Sequence, residues 1–134
     1  MTIENLQENL IEDFSFFEDW TQKYEYMIEL SKTLDKMDDN DKNDKNLIKG
    51  CQSKVWLKAD YLDGKIKFRA DSEAIITRGI IAILLLVFND KKPSEIINSD
   101  ISFIEKIGLK EHLSPNRANG LYLMIKKIKF YAIA

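Results

Sequence analysis

The sequence predicts an α+β domain in which one small antiparallel sheet is covered by helices. Apolar residues first recur at helical spacing, then alternate around Asp63-Gly64, and then return to helical spacing up to the last residue. Helices, one hairpin and further helices in that order are typical of a sheet with helices on one face. A length of 134 residues fits one domain, so we expect a single unit spanning residues 1–134.

Two amphipathic helices are predicted at the start of the chain. Residues 3–14 place Ile3, Leu6, Leu10 and Phe14 at helical spacing. A second, largely aromatic stripe comprises Phe17, Trp20, Tyr24, Met27, Ile28 and Leu34. We interpret both stripes as core rather than as a cofactor site, because a surface helix buries one such face.

The segment "DKMDDNDKNDKN", residues 35–46, is predicted to be a solvated loop. Asp, Asn and Lys dominate it, so we expect little of it to be buried. A calcium loop starting at Asp39 would need Gly at its sixth position and Glu at its twelfth. The chain has Asp44 and Gly50 there, so we expect no calcium site and no other metal site.

A β-hairpin is predicted around Asp63-Gly64, because this dipeptide tolerates the positive φ of a tight turn. The turn pairs Leu62 with Lys65, Tyr61 with Ile66, Ala59 with Phe68 and Leu57 with Ala70. One face is then apolar throughout and the other is charged, which favours this register over a slipped one.

Two further expectations concern the start of the hairpin. Trp56 falls on the charged face, so either one of the chain's own helices or a docking partner should cover it, and we favour the helix. Leu47-Ile48 could add a short third strand.

The apolar run "GIIAILLLVF", residues 79–88, predicts a helix buried on all sides. It is too short to span a bilayer, which takes about 20 residues. Asp71-Ser72 should cap this helix with side-chain oxygens, and Asn89-Asp90 should end it.

Three more helices are predicted after residue 90. Pro93 opens a short one, Gly108 closes another, and Ser114 caps the last one with Pro115 in its first turn. The inner face of the last helix should comprise Leu121, Met124 or Ile125, and Ile128, with Ala132 as a further candidate.

The charge and cysteine content narrow the classes of function. A formal net charge of −2 and a pI near 5.5 argue against general attraction to nucleic acid or a membrane surface. One cysteine forms no internal disulfide, and no apolar segment follows a basic start as in a signal peptide. Both observations favour a cytoplasmic location.

The single cysteine, Cys51, lies in the polar stretch "IKGCQSKVW". A core cysteine usually sits in an apolar run, where it acts as a small hydrophobe. Without a C-x-x-C motif an internal dithiol cycle is excluded, and one Cys with one His is too few for a structural zinc site. Cys51 is therefore either inert or a thiol that reacts with something delivered from outside.

His112 and Arg117 are the other candidate site residues that the pattern alone suggests. His112 could activate Cys51 as a hydrolytic nucleophile, or it could merely end a loop near Ser114. Arg117 lies in the first turn of a predicted helix, where the helix dipole disfavours a cation. A carboxylate or an anionic sulfur would offset that effect, and the alternative is a solvated arginine.

Three motifs, "GCQSKVW", "ADSEAIITRG" and "HLSPNRANGL", closely resemble the SufE family of sulfur acceptors, which act with cysteine desulfurases in iron–sulfur cluster assembly. The resemblance extends from "WTQKYEYMIEL" to the last helix, with the motifs in the family's order. Ala70 replaces a common Gly, and Asn116 replaces a common Ser. These two departures bear on the fit to partners rather than on the chemistry.

The resemblance implies a function and a set of site residues. A pyridoxal-phosphate cysteine desulfurase (SufS-like) would hold sulfur as a persulfide, Cys51 would accept it, and an iron–sulfur scaffold (SufBCD-like) would receive it. The chain itself would need no cofactor and would act as a carrier and desulfurase activator more than as an enzyme. Supporting and partner-binding roles fall to Gly50, Gln52, Ser53, Asp71, Ser72, Glu73, His112 and Arg117.

The polar bend around Cys51 suits this chemistry, because the thiol must reach another protein's persulfide. We hypothesise that the sulfur rests against apolar side chains, where it is protected from oxidation, and swings out on docking. A cation such as Arg117 or His112 would stabilise the thiolate. The alternative is a partner-binding domain without chemistry, in which Cys51 is incidental.

Overall fold

The computed structural model describes residues 2–50, 53–108, 113 and 115–134, of which 115–117 are described by their backbone alone. The elements are α1 (Ile3–Phe16), α2 (Trp20–Ser31), a 3-10 helix (Asp39–Asp41), β1 (Val55–Leu62), β2 (Lys65–Ser72), α3 (Ile75–Phe88), α4 (Pro93–Ile97), α5 (Phe103–Ile107) and α6 (Pro115–Ile133). Helices surround one two-stranded antiparallel sheet, which confirms the predicted α+β class.

Side-chain caps begin the first two helices. Thr2 Oγ1 accepts a hydrogen bond from the Asn5 N–H at 3.1 Å, and Asp19 Oδ1 accepts one from the Gln22 N–H at 2.9 Å. Each bond satisfies an N–H that has no partner within the helix. The first predicted stripe faces the core, as does most of the second, with Phe14 and Met27 among the most deeply buried side chains. Phe17 and Ile28, expected in the core, lie outside it.

The hairpin has the predicted register, with all four predicted pairs present. Asp63 and Gly64 form the turn with φ of 53° and 78°, the positive values that this dipeptide tolerates. The inner face is buried except near the turn, where Tyr61 is 52% exposed. The Tyr61 hydroxyl donates to the Tyr131 carbonyl at 2.5 Å, so the end of the hairpin is tied to α6.

The expected third strand is reduced to a bridge. Leu47 bridges Trp56, and the Leu57 N–H donates to the Asn46 carbonyl at 2.9 Å. In the described part of the chain the sheet therefore has two strands, with a short stretch of backbone pairing beside β1.

The apolar run forms α3, the central helix of the core. Ile80, Ile83 and Val87 are at most 1% exposed, but Leu86 is 41% exposed, so the helix is not buried on all sides as expected. The predicted end at Asn89 is confirmed, since its N–H donates to the Leu85 carbonyl.

The predicted cap of α3 is wrong. Asp71 and Ser72 are the last residues of β2, and the cap position is held by Ala74, which makes no side-chain cap bond. Ser72 Oγ does accept from the Ala74 N–H at 3.3 Å, but it also donates to the Lys54 carbonyl at 2.7 Å. The carbonyl of Lys54, the residue before β1, therefore holds this hydroxyl in place before the helix begins.

Residues 35–46 are mostly exposed, as predicted, but two of their side chains are buried. Met37 is 1% exposed, and buried Asn46 donates to the Asp41 carbonyl at 2.8 Å. Lys42, after the 3-10 helix, places its ammonium 5.9 Å from the ring centre of half-buried Trp56. The chain itself thus contacts Trp56, but through this segment.

The later helices follow the sequence pattern. Pro93 begins α4, and Gly108, with φ of 85°, ends α5. The predicted inner face of α6 is buried and includes both alternatives: Leu121, Met124, Ile125, Ile128 and Ala132. The expected cap, Ser114, lies outside the described residues. None of the described helices has the length and apolar content needed to cross a membrane.

Close packing of α2 on α3 depends on Gly79. A Cβ at this position would lie 2.8 Å from the Met27 carbonyl oxygen, a contact with rigid backbone. We expect Gly79→Ala to lower the free energy of unfolding by about 1–3 kcal/mol through overpacking, despite the better helix propensity of Ala. Urea denaturation measures this, with Thr21→Ala on the exposed side of α2 as control. A stabilised Gly79→Ala variant would contradict the close approach.

Candidate functional site

The candidate site is the 49–54 loop, the six residues between Ile48 and Val55. The Ile48 N–H donates to the Val55 carbonyl at 2.8 Å, and the Leu47–Trp56 bridge lies directly below. Two successive backbone contacts therefore fix the two ends of the loop against each other. Cys51 and Gln52 belong to this loop but lie outside the described residues.

The first half of the loop requires glycine at position 50. Gly50 is exposed and has φ of 95°, a conformation that side chains with a Cβ rarely adopt. A Cβ there would also lie 3.1 Å from Leu123 Cδ1 on α6. The residue before Cys51 thus combines a left-handed backbone with a close approach to α6.

The second half of the loop is held by the end of β2. The Lys54 carbonyl accepts hydrogen bonds from Ser72 Oγ at 2.7 Å and from the Glu73 N–H at 3.4 Å. Ser72 is 5% exposed, so water competes little for its hydroxyl. Ser53 is half-buried and Lys54 is exposed, and the hydrogen-bonded Lys54 carbonyl fixes the position at which the loop ends.

Asp71 connects three parts of the chain beside this point. Its carboxylate lies 3.0 Å from the Lys42 ammonium and 3.1 Å from Arg78 Nε, and its side chain is 17% exposed. The Ser72 N–H donates to Asp71 Oδ1 at 2.8 Å. The hydrogen bond to Asp71 raises the pKa of Lys42, against an opposing effect of burial, so the lysine stays charged. Asp71 thus stabilises the geometry in which Ser72 holds the loop.

An apolar layer lies beneath the two ends of the loop. It encloses a cavity of about 10 Å³, which is about the space of one water-sized group. The lining is aliphatic throughout: Ile48, Val55, Leu57, Ala70, Ile81, Leu84, Leu85, Met124 and Ile128. A group entering from the loop would therefore meet carbon and sulfur atoms rather than charge.

The structure places Asp71, Ser72 and Glu73 against the Lys54 carbonyl at one end of the loop, next to Ser53, while Gly50 lies toward the other end. Cys51, Gln52 and His112 lie outside the described residues, as does the Arg117 side chain. The backbone of Arg117 is in the first turn of α6, six residues and about 9 Å along the axis from Leu123.

Metal ligation has no support in the described ranges, where no group of three or more His, Cys, Asp and Glu could hold a metal ion.

Sequence reasoning assigned no role to Lys42, Arg78 or Leu123, although each contacts this site. Lys42 stands among similar lysines, so nothing in the sequence distinguishes it. Arg78 had a signal, because it is the one cation at the start of an apolar run. Leu123 makes its contact across some 70 residues of chain, which no local pattern reports.

Comparison with known proteins identifies the family. Residues 8–132 match the SufE family, described as an Fe-S metabolism associated domain. The chain belongs to the SufE family. An uncharacterised SufE-like protein of Rhizobium meliloti (strain 1021) is 42% identical over 127 residues, covering 91% of each chain. The resemblance read from the three motifs is thereby confirmed, and the family associates this chain with iron–sulfur metabolism.

The fold is also found in a solved structure. The solution structure of a hypothetical protein from Thermus thermophilus superposes with a TM-score of 0.79 over 96% of this chain and 93% of that one. At 15% identity this likeness shows the shared fold.

The hydroxyl of Ser72 generates a testable expectation. Ser72→Ala removes its bond to the Lys54 carbonyl and should lower the free energy of unfolding by about 1–2 kcal/mol. Hydrogen exchange should also accelerate at the Glu73 and Ala74 amides, which face this hydrogen-bond network. Ser94→Ala, at an exposed position of α4, serves as control. Unchanged exchange at both amides would show that Ser72 does not hold the loop.

Proposed function

We propose that this SufE-family protein accepts sulfur from a pyridoxal-phosphate cysteine desulfurase onto Cys51, stimulates that enzyme, and passes the sulfur to an iron–sulfur cluster scaffold. The observation that carries the proposal is the position of the chain's only cysteine within a loop that is fastened at both ends. Membership of a family associated with iron–sulfur metabolism supports the same reading.

The proposed transfer is a thiol–persulfide exchange. The Cys51 thiolate attacks the terminal sulfur of the desulfurase persulfide, and a new S–S bond forms on Cys51. The bond between that sulfur and the donor's cysteine breaks, and the donor leaves as a thiolate that takes up a proton. One sulfur atom moves without an external oxidant or reductant. A thiol of the scaffold then attacks the terminal sulfur of the Cys51 persulfide in the same way, and Cys51 leaves as a thiolate.

The anchored ends of the 49–54 loop support this role. Hydrogen bonds made by Val55, Ser72 and Glu73 fix these ends, which would give a moving thiol defined anchor points. In the proposed cycle the Cys51 sulfur rests on the apolar layer beneath the two ends and swings toward a partner on docking. Burial of the persulfide between these events would protect it from oxidation.

Charged residues around the loop supply the proposed partner contacts. Lys49 and Lys54 are exposed at the two ends of the loop, and Glu73 is exposed beside it. Asp71 and Ser72 act through the hydrogen bond that holds the Lys54 carbonyl. We assign Gln52 and Ser53 to the docking surface and His112 and Arg117 to stabilisation of the sulfur anion. Arg117 lies on the same helix as Leu123, about 9 Å along the axis from this neighbour of Gly50.

The decisive experiment is mass spectrometry of the intact protein after incubation with a cysteine desulfurase and free cysteine. We expect the native chain to gain the mass of one sulfur atom, which a thiol reductant removes, and Cys51→Ser to gain none. An equal gain on Cys51→Ser would locate the sulfur elsewhere. A native chain that binds the desulfurase and stays unlabelled would establish the alternative, a partner-binding domain in which Cys51 is incidental.

A second experiment separates loop geometry from general stability by comparing two glycines with similar backbone. Gly50→Ala and Gly64→Ala both place a Cβ at strongly positive φ, 95° and 78°, at a cost of about 1–2 kcal/mol each. Only the Gly50 substitution lies in the loop and meets Leu123. We expect Gly50→Ala to slow sulfur uptake by about tenfold or more, because a 1.4 kcal/mol change in barrier is tenfold in rate.

Gly64→Ala should take up sulfur at the native rate, since its Cβ would have no neighbour within 4 Å and its turn is at the far end of the hairpin. Equal uptake rates for the two variants would show that the backbone at residue 50 does not matter for transfer.

A further inference from the structure

An open groove of about 950 Å³ lies at the junction of the first two helices. We call it the α1–α2 groove, and its lining comprises Phe16, Phe17, Glu18, Gln22, Glu25, Tyr26, Ile28 and Glu29. Among the residues that the structure describes, it shares none with the 49–54 loop or with the side chains that hold that loop. The groove is therefore a second surface, separate from the site of the proposed sulfur transfer.

Aromatic rings form the apolar part of the α1–α2 groove. Phe16 is 83% exposed, its ring lies 5.8 Å from that of Phe17, and Phe17 lies 5.2 Å from Tyr26. The Tyr26 hydroxyl donates to Asp13 Oδ2 at 3.0 Å, which fixes the ring on the groove floor. Burial and this bond raise the pKa of Tyr26 to about 12, so the ring is neutral at pH 7. A nearly fully exposed Phe beside fixed rings offers unused apolar contact area.

Carboxylates form the rim. Within the described ranges, Glu18 and Glu25 have no cation at ion-pair distance, and Glu29 has only the exposed Lys32 at 3.1 Å, a weak pair. Residues 12–29 contain six acidic residues and one basic residue, a local charge of −5 in a chain whose net charge is −2. The one basic residue, Lys23, lies over the Trp20 ring at 4.8 Å. The negative charge of this surface thus lies around the exposed Phe16 ring and the half-buried rings of Phe17 and Tyr26.

We propose that the α1–α2 groove docks a cationic amphipathic helix of a partner protein. The apolar face of such a helix would cover Phe16 and Ile28, and its Lys or Arg side chains would meet the rim. Glu25 and Glu29 lie four residues apart on α2, which spaces their carboxylates about 6 Å along the axis. Cations four residues apart on a partner helix have the same spacing, so the groove and such a helix are complementary in charge and in repeat.

The test uses a fluorescein-labelled helical peptide built from Leu and Lys in an amphipathic repeat, with fluorescence anisotropy against the full-length protein. We expect saturable binding that weakens at high ionic strength, and no binding of a matched peptide in which Glu replaces Lys. Glu18→Lys combined with Glu25→Lys should weaken binding by about tenfold or more, as should Phe16→Ser.

The matched control is Glu8→Lys combined with Glu105→Lys, which makes the same change of charge at exposed residues outside the groove. Two results support the groove: native-like peptide binding by this control variant, and peptide-induced changes of amide chemical shift that are confined to residues 16–29 of the native protein. An equal loss of peptide affinity in both double variants would mean that the peptide is attracted by the net charge of the protein rather than by the groove. Binding of the Glu peptide would show that the charge of the rim does not select the partner. Either result overturns the proposal.

A second copy of the chain is the competing occupant, because the end of α6 is itself cationic and aromatic, with the Lys127 ammonium 5.0 Å from the exposed Phe130 ring. Sedimentation that shows a dimer broken by both Lys127→Glu and Glu25→Lys would assign the groove to self-association and overturn the proposal. Cys51→Ser should bind the peptide like the native chain. A failure of the groove proposal can therefore be distinguished from a failure of the proposed sulfur transfer.

Discussion

The hydrogen-bonded Lys54 carbonyl is the constraint on which the site depends. It fixes the point where the chain leaves the 49–54 loop and enters β1, and it accepts from Ser72 Oγ and the Glu73 N–H. Ser72 is placed in turn by Asp71, whose carboxylate binds both Lys42 and Arg78. A buried hydrogen bond supported by an ion pair therefore holds one end of the loop, while backbone pairing at Ile48 holds its base.

The parts of the fold that were predictable from sequence are those specified locally. Asp63-Gly64 with alternating residues on both sides gave every pair of the hairpin register, because a one-residue slip would expose the whole apolar face. Pro93 and Gly108 marked the start of α4 and the end of α5, because each residue type has an intrinsic backbone preference. The location of the candidate site came from motif resemblance, which named Asp71 and Ser72 as site residues without showing that Ser72 binds the Lys54 carbonyl.

The predictions that failed depend on distant contacts. Asp71 and Ser72 were predicted to cap a helix. The Ser72 hydroxyl instead donates to the Lys54 carbonyl, 18 residues away in the sequence, and Asp71 forms an ion pair with Lys42 of the segment before the hairpin. Met37 stands among charged residues without any periodicity, yet it is 1% exposed. Local sequence shows the options that a side chain has, whereas the tertiary partner decides which one is used.

Separation of the two surfaces bears on how the proposed sulfur carrier would meet its proposed partners. If the 49–54 loop supplied all of the binding energy, its residues would be fixed by each partner and the movement of Cys51 would be opposed by affinity. A groove with an acidic rim, sharing none of its described residues with the loop, would place that affinity elsewhere. Charge complementarity mainly speeds encounter, and exposed ion pairs add little to the lifetime of a complex. Such a surface would suit the proposed carrier, which must dock, exchange one sulfur atom and leave.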